Sequence, residues 1–252
     1  MLKEYFKKHH RDLVVRLDIG IFQEIKQMKL KSVNHRGYIF GFMWLTHYLW
    51  RHGMHLERDF TIKDIKTILG RSPVDKHIDY ITKRKGLLDE LGYTEYSIDY
   101  PVNANIDGDG ILQFTMLSDL DLEHQKQVKS FKARGYNVKK PLLGYQRSRG
   151  KGGLFFSKED AFDLSVEEYV RCMQIDVDAF YLYGWIKMRQ KLMGNSKVGI
   201  RTSDFKEVTG YGEVKIRELL KSLEAQELIK VTRTTSKINE SILTLNDYEI
   251  IK

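Results

Sequence analysis

Residues 201–233, RTSDFKEVTGYGEVKIRELLKSLEAQELIKVTR, constrain the fold more than any other stretch. They read as a short helix over about 203–209, a turn at Gly210-Tyr211-Gly212, a longer helix from Glu213 to about Gln226, and a strand beginning at Leu228-Ile229. On the longer helix Ile216, Leu219, Leu220 and Leu223 fall in one narrow stripe at 3.6-residue spacing, and that stripe has to be buried. The opposite arc carries Lys215, Glu218 and Lys221, with Arg217 towards its edge. A hairpin over about 229–245 follows, studded with Lys230, Arg233 and Lys237.

The same order of parts occurs earlier in the chain. Tyr38-Ile39-Phe40-Gly41-Phe42-Met43 matches Tyr181-Leu182-Tyr183-Gly184-Trp185-Ile186 in residue type, at an offset of 143. Residues 64–70 match 204–210 more loosely, at an offset of 140. Common order and spacing predict an internal duplication of a helical, hairpin-ended module. A glycine shared inside an otherwise bulky helix predicts close helix–helix contact in both copies.

In the first copy, 38–52 is apolar almost all round and reads as a buried central helix. Phe40, Phe42, Trp44 and Trp50 sit at helical spacing, so they are expected in the core and not as base-stacking platforms. Thr61 and Asp64 form a capping signal for a helix ended by Gly70. Ser72-Pro73 then predicts a third helix, with Val74, Ile78 and Ile81 inward and Lys76, Tyr80 and Lys83 outward. A long hairpin over 93–102 and 111–117 closes the copy and bears Glu95, Asp99, Asp107 and Asp109. Ahead of it all, 17–28 has helical spacing with Asp18 as its N-cap. In the second copy Ser165 and Glu168 form a capping box opening a helix through Cys172. The expected fold is mainly α with small β-hairpins (α+β): a first module over 1–122, a linker over 123–153 and a second module over 154–252.

That linker holds nine Lys/Arg against one acidic residue, with Phe131, Tyr136 and Tyr145 interleaved. It reads either as a solvated connector or as a strap following a phosphate backbone. The second reading is favoured, because each neutralised phosphate releases counterions; Lys139, Lys140, Arg147 and Arg149 are its candidate contacts. The formal charge of +8 also favours a polyanionic partner. One cysteine, Cys172, rules out a disulfide within the chain and fits a cytoplasmic location. The first residues are charged throughout, unlike a signal peptide, and the longest apolar run, 38–50, is too short to span a membrane.

Motifs for chemistry fail on inspection. Residues 103–108 begin like a calcium loop, but Phe114 stands where the bidentate glutamate is needed. Residues 144–152 imitate a phosphate-cradling loop with one residue too many and Gly152 in place of the magnesium-holding hydroxyl. His52 and His55 have no cysteine or acid cluster to complete a metal shell. The expectation is a protein without cofactor, metal or catalytic site.

Two such modules and a basic connector resemble the tandem winged-helix replication initiators of bacterial plasmids and phages. The resemblance covers roughly 38–245 and rests on architecture. It implies double-stranded DNA as partner, read through the third helix of each module at repeated or palindromic sites, with homodimers and host replication proteins as further partners. The DNA-contacting residues would be Lys76, Tyr80 and Lys83 in the first module, and Lys215, Arg217, Lys221, Lys230, Arg233 and Lys237 in the second. A winged-helix transcriptional regulator is the alternative, and a protein-interaction scaffold a third reading, allowed by the acidic first hairpin.

Overall fold

The computed structural model describes residues 5–6, 10–54, 60–106, 112–132, 138–143, 145–147, 153–155, 160–238 and 241–251, with backbone alone at 106, 129–132, 145–147, 153–155, 233–238 and 241–246. The described helices are α1 (Ile21–Gln27), α2 (His35–Arg51), α3 (Ile62–Ile68), α4 (Asp79–Thr82), α5 (Leu87–Glu90), α6 (Leu122–Lys132), α7 (Val166–Cys172), α8 (Val177–Met193), α9 (Thr202–Thr209) and α10 (Glu213–Ala225). The strands are β1 (Val14–Asp18), β2 (Thr94–Tyr96), β3 (Pro101–Ile106), β4 (Leu112–Met116), β5 (Lys139–Pro141), β6 (Tyr145–Arg147), β7 (Gly153–Phe155), β8 (Ala161–Ser165), β9 (Lys197–Ile200), β10 (Ile229–Ile238) and β11 (Ser241–Ile250). The chain is therefore mixed α/β, with helix outweighing strand and small antiparallel sheets.

Two compact units divide it. A terminal unit comprises Met1–Leu13, Ile19–Gly41 and Leu164–Lys252, and a middle unit Val14–Asp18 and Phe42–Asp163. The division differs from the expected module–linker–module order, because the segments are interleaved along the sequence.

In the terminal unit, α8 is buried along most of its length. Its hydrophobic residues recur on every side through Ile186, and only the C-terminal turns open to solvent, at Lys191, Leu192 and Met193. Asp176 caps it by accepting from the Ala179 N–H at 2.7 Å, and Gly194 ends it in the left-handed region at φ 61°. Around it lies a ring cluster: Phe40 stands 5.2 Å from Phe180 and 5.4 Å from Tyr181, and Phe22 5.0 Å from Phe40. Gly184 permits this packing, since a Cβ there would come within 2.6 Å of Phe40 Cζ. The capping box at Ser165 and Glu168 is present as expected and opens α7. Beyond α8 the order is β9, α9, α10, β10, β11, with the strands arranged β10-β11-β9 in one antiparallel sheet. Strands β10 and β11 pair over ten residues each, whereas β9 pairs only with Asn246–Glu249.

In the middle unit the second half of α2 buries Trp44, Tyr48 and Trp50, with Trp44 and Tyr48 stacked at 5.6 Å. The core placement of the α2 aromatics follows the expectation. Thr61 and Asp64 cap α3 reciprocally. Strands β3 and β4 form a hairpin, but its first arm is Pro101–Ile106 and not 93–102, because Thr94–Tyr96 pair with β5 instead; Asp107 and Asp109 lie outside the described residues.

Several expectations need correction. Residues 14–18 are a strand paired with β8, so Asp18 is no N-cap; α1 starts after Gly20. The third helix of the first copy does not form: 73–78 is a series of turns, helix returns only for Asp79–Thr82, and Val74 is 75% exposed. Side chains have captured the backbone groups a helix would use. Asp75 Oδ1 accepts from the His77 N–H at 2.8 Å, and the buried Lys66 ammonium donates to the Asp75 carbonyl at 2.5 Å. Long helix and short capped helix thus occur twice, but the repeat stops there. The basic stretch is no detached strap either. Its described part contributes α6 and β5 to the middle unit, where β5 pairs with β2.

Candidate nucleic-acid interface

In the terminal unit the turn from α9 to α10 is built by Gly210, at φ 70°, and by Thr209, whose Oγ1 accepts from the Tyr211 N–H at 3.1 Å. Arg36 donates to the Val208 carbonyl at 3.0 Å and ties the start of α2 to the end of α9. Helix α10 buries Ile216, Leu219 and Leu223, as the stripe requires, with Leu220 half-buried at its margin. Burying three such side chains contributes about 1.5–3 kcal/mol each before opposing terms. The helix ends where Leu228 N–H donates to the Leu223 carbonyl at 2.9 Å, which forces Glu227 to φ 53°.

The exposed residues of α10 are Glu213, Val214, Arg217, Glu218, Lys221, Glu224 and Ala225. Arg217 reaches back one turn to Glu213 at 2.8 Å. Cations and carboxylates alternate here, so the arc is polar and mixed in charge, not a basic stripe. Lys221 and Lys230 are exposed. Arg233 and Lys237 lie on β10, opposite Asn246 and Ile242; their side chains lie outside the described residues.

Lys215 does something else. Its Nζ sits 2.5 Å from Asp178 Oδ2 and 3.1 Å from Asn34 Oδ1, and 4.0 Å above the Tyr211 ring. The Tyr211 hydroxyl donates to Asp178 Oδ1 at 2.6 Å. Burial first, and then the Asp178 charge, hold that phenol protonated well above its ordinary range. Asp178 itself lies against Gly37, where a Cβ would meet Oδ1 at 2.2 Å. Lys215 is therefore an internal anchor joining α10 to α8 and to the residues before α2, a correction to its expected place on the groove-facing arc. Pattern could not reveal this, because the carboxylate that claims it comes from 37 residues upstream.

The same anchorage brings residues 33–34 beside the turn, since Asn34 meets Lys215 and Val33 Cγ1 would lie 3.1 Å from a Cβ on Gly210. The exposed Lys29 and Lys31 precede that segment, and sequence reading passed them over. Nothing local marks them; only the fold places their segment next to the α9–α10 turn.

Among the middle-unit candidates, Lys76 and Lys83 are exposed and Tyr80 half-buried, on turns and a single helical turn instead of one continuous helix. Lys139 is 2% exposed, with Nζ 2.5 Å from Asp89 Oδ2 and 3.2 Å from the Lys83 carbonyl, so it cannot reach a phosphate. Lys140 is half-buried, 3.5 Å from Glu95. Arg147 lies on β6 with its side chain outside the described residues, and Arg149 is not among them. Of the acidic residues of the first copy's expected hairpin, Asp99 is engaged, accepting from the Ser118 N–H and hydroxyl at 2.9 Å each.

Among the described residues no group of three or more His, Cys, Asp or Glu is placed to hold a metal ion, and no helix is long and apolar enough to cross a membrane. Cys172 is fully buried, and burial pushes its thiol well above the usual range. No protein-family model, curated protein or solved structure matches the chain.

Proposed function

We propose that the terminal unit is a winged-helix DNA-binding module, with α10 as the groove-entering helix and β10–β11 as the wing. The observation that carries this reading is the order α8, β9, α9, α10, β10, β11 with its β10-β11-β9 sheet, in which α10 keeps one face buried and offers a polar arc outward. Arg217 and Lys221 contact DNA from that arc, with Lys230, Arg233 and Lys237 following the phosphates from the wing. Because the arc itself is mixed in charge, affinity comes mainly from the flanking cations, and Lys29 and Lys31 belong to that set. Among the described residues of the middle unit no third helix matches α10, so each chain carries one reading unit. Repeated or palindromic sites would then be read by two chains, as a homodimer.

At its most specific the reading is origin binding in a bacterial plasmid or phage, with helicase-loading proteins of the host as partners. The direct test is selection of bound sequences from a random duplex pool, followed by titration at several salt concentrations. A selected site bound with a steep salt dependence, weakened by joint replacement of Arg217 and Lys221 with alanine, is the expected result. Binding that is absent, or indifferent to salt, would refute the proposal. Mapping the selected sequence to an origin or to a promoter then separates initiation from transcriptional control.

A further inference from the structure

A cleft of about 570 Å³ opens in the terminal unit between α1, α8 and α9, a size that suits a small molecule. Phe22, Trp185 and Met188 give it apolar walls. Two of its charged pairs are internally satisfied: Lys26 meets Glu207 at 2.6 Å, and Arg201 meets Asp204 at 3.0 Å. Arg189 is in neither pair, although its charge also helps hold the Asp204 carboxyl below its ordinary range. It lines the same cleft with its guanidinium 6.0 Å from the Trp185 ring, and its Nε is shut off from water with no acceptor among the described residues. That Nε faces protein, so a ligand would meet the guanidinium where Arg189 lines the cleft.

We propose that this cleft binds a small planar monoanion of the aromatic carboxylate class, its carboxylate on Arg189 and its ring against Trp185. The guanidinium fork matches a carboxylate, and the largely buried indole, packed 4.9 Å from Phe205, supplies apolar wall beside it. One surplus positive charge calls for one negative charge. A dianion would meet Asp204 and Glu207 on the same rim and be turned away. The site does not depend on the DNA reading.

The test labels the full-length chain with 5-fluorotryptophan, giving three ¹⁹F resonances from its three tryptophans, and titrates it with 2-naphthoate. One resonance, identified by its loss in Trp185→Phe, should shift saturably. The neutral 2-naphthalenemethanol should bind at least tenfold more weakly, Arg189→Gln should remove that preference for the acid, and Arg189→Lys should retain part of it. Equal binding of acid and alcohol, an Arg189→Gln protein that melts normally and still prefers the acid, or no saturable shift of the Trp185 resonance at millimolar probe would each overturn it.

Discussion

Replacing Lys215 with methionine separates an anchor from a groove contact. Methionine keeps the apolar stem over the Tyr211 ring but removes the ammonium. Asp178, its side chain only 10% exposed, then keeps the Tyr211 hydroxyl as its remaining side-chain donor in this network. Breaking a fully buried ion pair costs about 3–5 kcal/mol. The Lys215 side chain is 34% exposed, so solvent screening brings the expected loss down to about 2 kcal/mol. Urea melts should show a lower midpoint with an unchanged slope. Adding Asp178→Asn should recover part of the loss, and the double-mutant cycle should give a coupling of about 1–2 kcal/mol. Measured well below the midpoint, affinity for the selected DNA should change less than twofold. A variant that melts like the wild type yet binds DNA ten times more weakly would show that Lys215 faces the groove and that the anchor is wrong.

Three further outcomes follow from the packing. Leu223→Ala should cost about 2–5 kcal/mol in denaturant melts, as for a buried leucine, and a near-neutral value would place the stripe in solvent. Glu227→Gly should stabilise by about 0.5–1 kcal/mol, because a non-glycine residue held at positive φ is strained; a loss of stability would mean that the side chain compensates that strain. His47, with Nδ1 2.7 Å from the Met43 carbonyl and Nε2 3.1 Å from the Leu143 carbonyl, has its pKa lowered from 6.5, chiefly by burial. The unfolded chain therefore takes up the proton first, so stability is intact above the unfolded value of 6.5 and declines as pH falls below it. Melts at pH 7.5 and 5.5 should differ by up to about 1.4 kcal/mol more in wild type than in His47→Gln. An identical difference in both proteins would assign the pH dependence elsewhere.

Local signals were readable in proportion to how local their causes are. The boxes at Thr61 and Ser165 and the buried stripe of α10 each depend on residues within a few positions, or on one face of one helix; at Gly184 only the small residue was local, and its partner Phe40 was not. Strand β9 was missed although Val198 and Ile200 alternate with Lys197 and Gly199, because four residues make a weak pattern. The helix expected after Ser72 has good caps in sequence but loses its carbonyl and amide partners to Lys66 and Asp75. Lys139 looked like one more member of a basic run, yet Asp89, fifty residues earlier, holds it inside. Lys215 and Lys139 fail for one reason: a charged residue's partner is set by the fold, and its spacing in sequence does not report it.

The uneven backing of the β10–β11 ladder has an evolutionary corollary. Ten rungs join the two strands, and β9 supports only those at Asn246–Glu249. Length can therefore be added or removed near the far end without disturbing the β9 register, provided it changes in matched pairs across the two strands. An even step keeps every side chain on its original side; an odd one in either strand turns the distal segment over. Related chains should accordingly differ in the reach of this arm by whole pairs of rungs.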